Sequence, residues 1–182
     1  MELLKRKVKI FILSGKAGSG KDETADIIVN YFKDKKVKKL SYAYYLKQYV
    51  KDICNWDGND DNKPRDVLQM IGIDLIKNKI DNKLLIRRVL EDIDIYSYFY
   101  DVIVITDARL VDEVEDIKKV YFDLISIRIN RSVDNNLTKK QKEHITEVGL
   151  DNYKYFDFVI DNNGSYNDFK CDVNRVLEEI NE

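Results

Sequence analysis

The sequence predicts an α/β fold: three layers, α/β/α, around a five-stranded parallel sheet. Short, nearly continuous apolar runs, the mark of strands buried on both faces, occur at residues 8–13, 102–106 and 124–129. Segments carrying apolar residues at three- and four-residue spacings separate them, as amphipathic helices do. Alternation of the two along one chain gives βαβ units, with helices covering both faces of the sheet. A chain of 182 residues suits one domain, 1–182.

In chain order, the first strand leaves a basic stretch, Lys5-Arg6-Lys7-Val8-Lys9, and stops at Ser14-Gly15. That run is too short for the apolar core of a signal peptide. No apolar stretch approaches the ~20 residues of a membrane span, so a soluble cytoplasmic protein is expected. The first helix, 24–32, places Ala25, Ile28, Val29 and Phe32 on one face. The basic run 33–39 reads as a solvated turn rather than a nucleic-acid surface, and leads into a second strand at 37–41. Helices follow at 44–53 and 65–76. The second of these starts at Pro64, the only proline, whose missing N–H suits a first helical turn. Helices at 84–93 and 111–120 flank the strand at 102–106. The strand at 124–129, a last strand at 156–161 and a closing helix at 167–180 complete the fold.

The sharpest motif is Gly15-Lys16-Ala17-Gly18-Ser19-Gly20-Lys21-Asp22. It matches G-x-x-x-x-G-K, the phosphate-binding P-loop, with a strand leading in and a helix leading out. Glycines let successive N–H groups curl around a phosphate, and the helix N-terminus adds partial positive charge. Gly15, Lys16, Ala17, Gly18, Ser19, Gly20, Lys21, Asp22 and Glu23 are therefore the expected ATP-binding segment. Lys21 reaches the β- and γ-oxygens as a point charge. Asp22 departs from the usual Ser or Thr. A carboxylate there either ligates Mg²⁺, directly or through water, or is only a first-turn acid favoured by the helix dipole. Thr24 lies further round the helix and does not replace the missing hydroxyl.

The run Val102-Ile103-Val104-Ile105-Thr106-Asp107 is an apolar strand ending in an acid. Such a strand-end Asp organises Mg²⁺ and its waters in P-loop proteins, which makes Asp107 the second expected metal residue. Arg109 then falls at the rim of the same cleft, where its planar fork suits a phosphate.

Together with these, Ser41-Tyr42-Ala43 followed by Leu46-Lys47, Pro64-Arg65-Asp66-Val67-Leu68-Gln69, Thr106-Asp107-Ala108-Arg109, His144-Ile145-Thr146-Glu147 and Asp161-Asn162-Asn163-Gly164-Ser165 resemble, in the same order, the deoxynucleoside monophosphate kinases of bacteriophages and bacteria. The Lys-Asp ending of the loop is the most diagnostic piece, and animal-type phosphomevalonate kinases share it. The resemblance implies a nucleoside-monophosphate-kinase-like fold, with a monophosphate-binding region at about 42–98 and a LID at about 131–150. It places Arg65 and Gln69 on the acceptor-binding helix. Their four-residue spacing puts them on one face, opposite Val67, Leu68, Ile71 and Leu75. Arg65 would pair with the acceptor phosphate and Gln69 with a base edge; otherwise both belong to a solvated face. Ser41 and Lys47 are expected on the acceptor side. Arg131, at the end of the fourth strand, is the preferred LID arginine, because Arg128 alternates within the strand and suits burial or pairing. His144 has no assigned role; orienting a loop through Glu147 and touching substrate stay open.

The expected reaction is phosphoryl transfer from ATP, with Mg²⁺, to a (deoxy)nucleoside monophosphate, carried by Lys21, Arg109, Arg131 and Asp107. Two alternatives remain: a kinase for another phosphorylated acceptor such as phosphomevalonate, and a nucleotide-binding regulatory module with no acceptor. The Asn-Lys-x-Asp segment of GTPases is missing, since Asn82-Lys83 runs into Leu84-Leu85. A net charge of -2 argues against a nucleic acid polymer as partner. The expected partners are small nucleotides, with no membrane and a homodimer left open. Cys54 and Cys171 sit in no metal-ligand spacing and read as free thiols. Tyr42, Tyr44, Tyr45 and Tyr49 gather near the acceptor region, where packing accounts for them better than base stacking.

Overall fold

The structure, a computed structural model, describes residues 3–132 and 137–181. Five strands form one sheet: β1 (Lys9–Ser14), β2 (Val37–Leu40), β3 (Val102–Ala108), β4 (Ile125–Asn130) and β5 (Phe158–Asp161). Their order is β2-β3-β1-β4-β5, and every pairing is parallel. β1 is thus central. Ile12 faces Ile105 of β3 and Ser126 of β4, and the β1–β3 register shifts between Ile12 and Ser14.

The five expected strands are present, and alternation along β1 shows why both faces are apolar. Ile10 and Ile12 pack with Ile103 and Ile105 against α4 (Leu84–Tyr96) and α5 (Val111–Val120). Phe11 and Leu13 pack with Ile127 and Ile129 against α1 (Lys21–Tyr31) and α8 (Tyr166–Glu179). On α1 the buried apolar positions are Ala25, Ile27 and Ile28, while Val29 is only half-buried. The lysines of the 33–39 run lie at this lower end of the sheet, Lys35 over the ring of Phe32, Lys38 over that of Tyr96, and Lys39 paired with Asp26.

A third apolar cluster gathers residues between 50 and 76. Val50 of α2 (Ala43–Cys54) meets Trp56, Leu68, Ile71 and Ile76. Here the expected single helix over 65–76 divides. Pro64 precedes the first turn, α3 spans Arg65–Gln69, and a π-helix continues from Met70 to Ile80. Bonds from i to i+5 move the next buried side chain after Ile71 from Leu75 to Ile76. Leu75 is accordingly exposed, and Ile76 is buried. Two short helices unforeseen from the sequence, α6 (Lys139–Glu143) and α7 (Ile145–Val148), precede β5. Among the described residues, no helix is long and apolar enough to cross a membrane, and both cysteines are free.

Candidate active site

Six residues, Gly15 to Gly20, join β1 to α1 across the top of the sheet. Gly18 (φ 77°) and Gly20 (φ 105°) adopt the left-handed backbone that lets the chain turn without a Cβ penalty. A Cβ on Gly20 would also stand 2.5 Å from the Asn162 amide nitrogen, which donates to Ser19 O at 2.9 Å. Asn162 follows β5 and locks the loop from beneath. Ser19 Oγ, buried, has no hydrogen-bond partner among the described residues. The first N–H groups of α1 lack intrahelical partners by geometry, so a helix N-terminus, a glycine cradle and an unpartnered hydroxyl meet at one place.

Lys21 begins α1 and folds back over the loop. Its side chain donates to Gly15 O and Lys16 O, both at 2.8 Å. Burial, and after it the Arg109 guanidinium, lower its pKa to about 8; Glu147, Asp22 and Asp107 pull the other way. Thr24 is buried and donates to Gly20 O, so its hydroxyl points back along the helix.

The cleft beside the loop has a volume of about 410 Å³. Ala17, Gly18, Lys21 and Asp22 line one end. The far end mixes cations (Lys47, Lys63, Arg65, Lys77) and two acids (Asp60, Asp81) with apolar side chains (Leu46, Leu68, Ile73, Ile76, Leu85). Lys63 is paired with Asp60 and Lys77 with Asp112, which leaves Lys47 and Arg65 as the cations to consider. Gln69 opens onto it one turn from Arg65. The π-helix adds Gly72 and Lys77, five residues apart.

Between the two ends stand Asp107 and Arg109. The Asp107 carboxylate accepts from Ser41 Oγ (2.7 Å), Tyr42 N (2.8 Å) and Ala43 N (3.0 Å), which fastens the end of β3 to the start of α2. A carboxylate has about four acceptor positions, so about one is left for a metal-bound water. Arg109 Nη1 donates to Thr146 O at 3.2 Å and pairs with Glu147. Glu113, buried, accepts from the N–H groups of Arg109 (2.7 Å) and Leu110 (3.0 Å). Burial raises its pKa to about 7, with nearby Asp107 adding to the effect.

The model of the family "Deoxynucleotide monophosphate kinase" matches residues 31–173. This chain belongs to that family. No curated protein matches the sequence. The Mycobacterium tuberculosis APS kinase in complex with AMPPNP and APS is similar at a TM-score of 0.59 and 13% identity, covering 97% of this chain and 99% of that one. A dephospho-CoA kinase from Campylobacter jejuni has a TM-score of 0.51 at 17% identity, covering 94% and 97%. A shikimate kinase from Bacteroides thetaiotaomicron has 0.53 at 12%, covering 96% and 99%. The shared architecture is the P-loop kinase fold, and the family makes the chain a phosphotransferase.

The kinase gathers most of the sequence-predicted residues on the one cleft: Ala17, Gly18, Lys21, Asp22, Ser41, Lys47, Arg65, Gln69, Asp107 and Arg109 all line it. Gly15, Ser19 and Gly20 belong to the loop but do not line the cleft. Glu23 is exposed on the first turn of α1 and does not line the cleft. Lys16 and Arg131 face a second depression of about 460 Å³ on the other flank of the loop, where Arg131 reaches to 3.5 Å from Gly18 O. Arg128 is paired with Asp151 and donates to Ser14 Oγ, in keeping with its place inside the strand. His144 caps α7: Thr146 N donates to its Nδ1 at 3.3 Å. Of the tyrosines, Tyr42 is buried with its hydroxyl on Glu113 O, and Tyr45 donates to Asp92 beneath Arg88. Sequence reasoning missed Asn162, Glu113 and Asp151. The first sits in a motif already singled out, Asp161-Asn162-Asn163-Gly164-Ser165; the other two have no local sequence signal.

Proposed function

We propose that this kinase moves the γ-phosphoryl group of ATP to a (deoxy)nucleoside 5′-monophosphate, yielding ADP and the diphosphate. The observation that carries this is the single continuous cleft, with the phosphate loop at one end and a slot both apolar and cationic at the other. An acceptor made of phosphate and carboxylate alone needs cations but no apolar walls. A base needs both, with Leu46, Leu68, Ile73 and Ile76 against its faces, Gln69 at its edge and Arg65 at the phosphate.

The chemistry asks mainly for positioning and charge. The acceptor phosphate has a second pKa near 6, so its attacking oxygen is ionised at neutral pH and no general base is required. Lys21 and Arg109 hold the transferring group from the loop side and the rim, and Arg131 approaches from the other flank. Serine or threonine at position 22 would offer one oxygen; Asp22, exposed and open to the cleft, offers two. Asp22 and the remaining acceptor position of Asp107 suit Mg²⁺, a cation that keeps most ligands as water and phosphate oxygens. Bound there, it would neutralise charge developing on the phosphates. The segment at about 131–150, of which 133–136 lie outside the described residues, serves as the LID: Gln141 of α6 donates to Asp66 of α3 at 2.8 Å, joining it to the monophosphate-binding region.

ADP release measured with ATP and Mg²⁺ against dAMP, dGMP, dCMP, dTMP, their ribose counterparts and phosphomevalonate tests the reading. Turnover on one or more nucleotides is expected. Turnover on phosphomevalonate alone, or ADP release indifferent to any acceptor, refutes the assigned acceptor.

A further inference from the structure

We infer that Glu147 is a positioning residue for Arg109, fixing its guanidinium at the junction between donor loop and acceptor cleft. This rests on the kinase reading above. The Glu147 side chain is only 8% exposed. One oxygen pairs with Arg109 Nη1, and the other accepts from Ala17 N of the phosphate loop at 3.0 Å. A single carboxylate therefore spans from the donor loop to the arginine.

The rest of the segment is built around the same contact. Thr146 O accepts from the same Arg109 nitrogen. Gly149 lies directly on the Arg109 main chain: a Cβ there would stand 2.9 Å from Arg109 O and 2.6 Å from Ile145 O, so no side chain fits. Beneath, Glu113 holds the Arg109 N–H. Asp151, four residues beyond Glu147, ties the segment to the loop a second time through Lys16 Nζ (2.8 Å) and also binds Arg128 (3.1 Å). Main chain and side chain of Arg109 are thus fixed from three directions.

A long, charged side chain at the rim of a cleft samples many rotamers unless something holds it. Charge-assisted bonds to a carboxylate that is itself nearly out of water do so, and leave the Nε and Nη2 donors of the fork for phosphate oxygens. The gain is orientation rather than stability, since pairs of this kind add little net folding energy. A second behaviour is compatible with the same contacts: the carboxylate stands in for a phosphoryl group and is displaced by nucleotide. The two differ in what Glu147→Gln does to ATP affinity and to turnover.

The test compares wild type, Glu147→Gln, Arg109→Ala and the double variant, measuring kcat and both KM values by ADP release, ATP Kd by calorimetry and Tm. Glu147→Gln is expected to lower kcat ~10- to 100-fold, the cost of a misplaced group, with ATP Kd within about twofold. Added to Arg109→Ala it is expected to cost nothing further, because it acts through that residue. Glu147→Asp, one methylene too short to span both partners, should lose kcat similarly and guards against a glutamine variant that fails to fold. Independent, multiplying losses, or wild-type kcat in Glu147→Gln, overturn the inference. So does tighter ATP binding with undiminished kcat, which marks a displaced stand-in. A wild type silent on every acceptor overturns the kinase reading and this inference with it, whereas an active wild type with uncoupled variants overturns this inference alone.

Discussion

Raising the pH from 7 to 9 is expected to weaken ATP binding about tenfold, through one residue. Lys21 is buried, and its folded pKa of about 8 lies below the ordinary 10.5 because burial and Arg109 disfavour the ammonium. In the unliganded enzyme Lys21 is therefore about nine-tenths charged at pH 7 and about one-tenth charged at pH 9. A polyphosphate in the loop restores the ammonium, so binding takes up a proton in this window, and each pH unit above 8 costs up to about 1.4 kcal/mol. The phosphate groups themselves are already ionised there, their second pKa being near 6. Calorimetry at pH 7, 8 and 9, in buffers of different ionisation enthalpy, counts that proton. Lys21→Arg provides the control, since its guanidinium stays charged and its affinity, weaker or not, should be flat. The stability of the unliganded protein moves the other way. Its Lys21 penalty, about 3 kcal/mol, is fully present below pH 8 and fades as the pH rises towards 10.5. A wild-type Kd that does not change from pH 7 to 9, without proton uptake, refutes the reasoning.

Two other expectations follow from the acceptor side and the buried acid. Arg65→Ala should raise the KM of the nucleotide acceptor about tenfold to a hundredfold, the loss of one charge-assisted hydrogen bond, while the KM for ATP stays put; steady-state kinetics with each substrate varied decides. Glu113 has a folded pKa of about 7 against 4.5 ordinarily. Its contribution is therefore fully present below about pH 4.5, declines as the pH rises through 7, and then levels off. Glu113→Gln keeps an acceptor for the Arg109 and Leu110 N–H groups and should remove this slope, read by urea unfolding at pH 5, 6, 7 and 8. An unchanged slope would place the titration elsewhere.

Much of this was legible in the residues because the sheet is buried on both faces. Apolar runs of five or six residues had no competing reading, and the glycine-rich loop was recognisable between the first such run and a helix. Arg65 and Gln69 reached the cleft because four-residue spacing survives within α3. One residue further on the same reasoning failed: Leu75 was placed on the buried face, but a π-helix carries burial to Ile76, and nothing in Met70–Ile80 separates i+4 from i+5 bonding. The short helices α6 and α7 span only five and four residues, too few for periodicity to speak. Asp107 was legible as a strand-end acid, whereas its bonds to Ser41, Tyr42 and Ala43 depend on β2 lying beside β3, a long-range fact. The bonds of Glu147 to the Ala17 N–H and of Asp151 to the Lys16 ammonium are of the same kind: residues separated by over a hundred positions meet only after the sheet assembles.

The central position of β1 has a bearing on how variants of this enzyme should be interpreted. β1 carries the phosphate loop, while β3 and β4, its two direct neighbours, are followed at once by Arg109, on the cleft, and Arg131, beside Gly18. Donor grip and both positive flanks thus hang on three adjacent rods bonded side by side. A change of volume at Phe11 or Leu13, buried and absent from the cleft lining, is expected to tilt one rod against the others and displace charge relative to the loop. Defects in turnover will therefore arise from interior positions that touch no ligand. Random mutagenesis scored by activity should trace out the packing of these three strands as clearly as it traces the site.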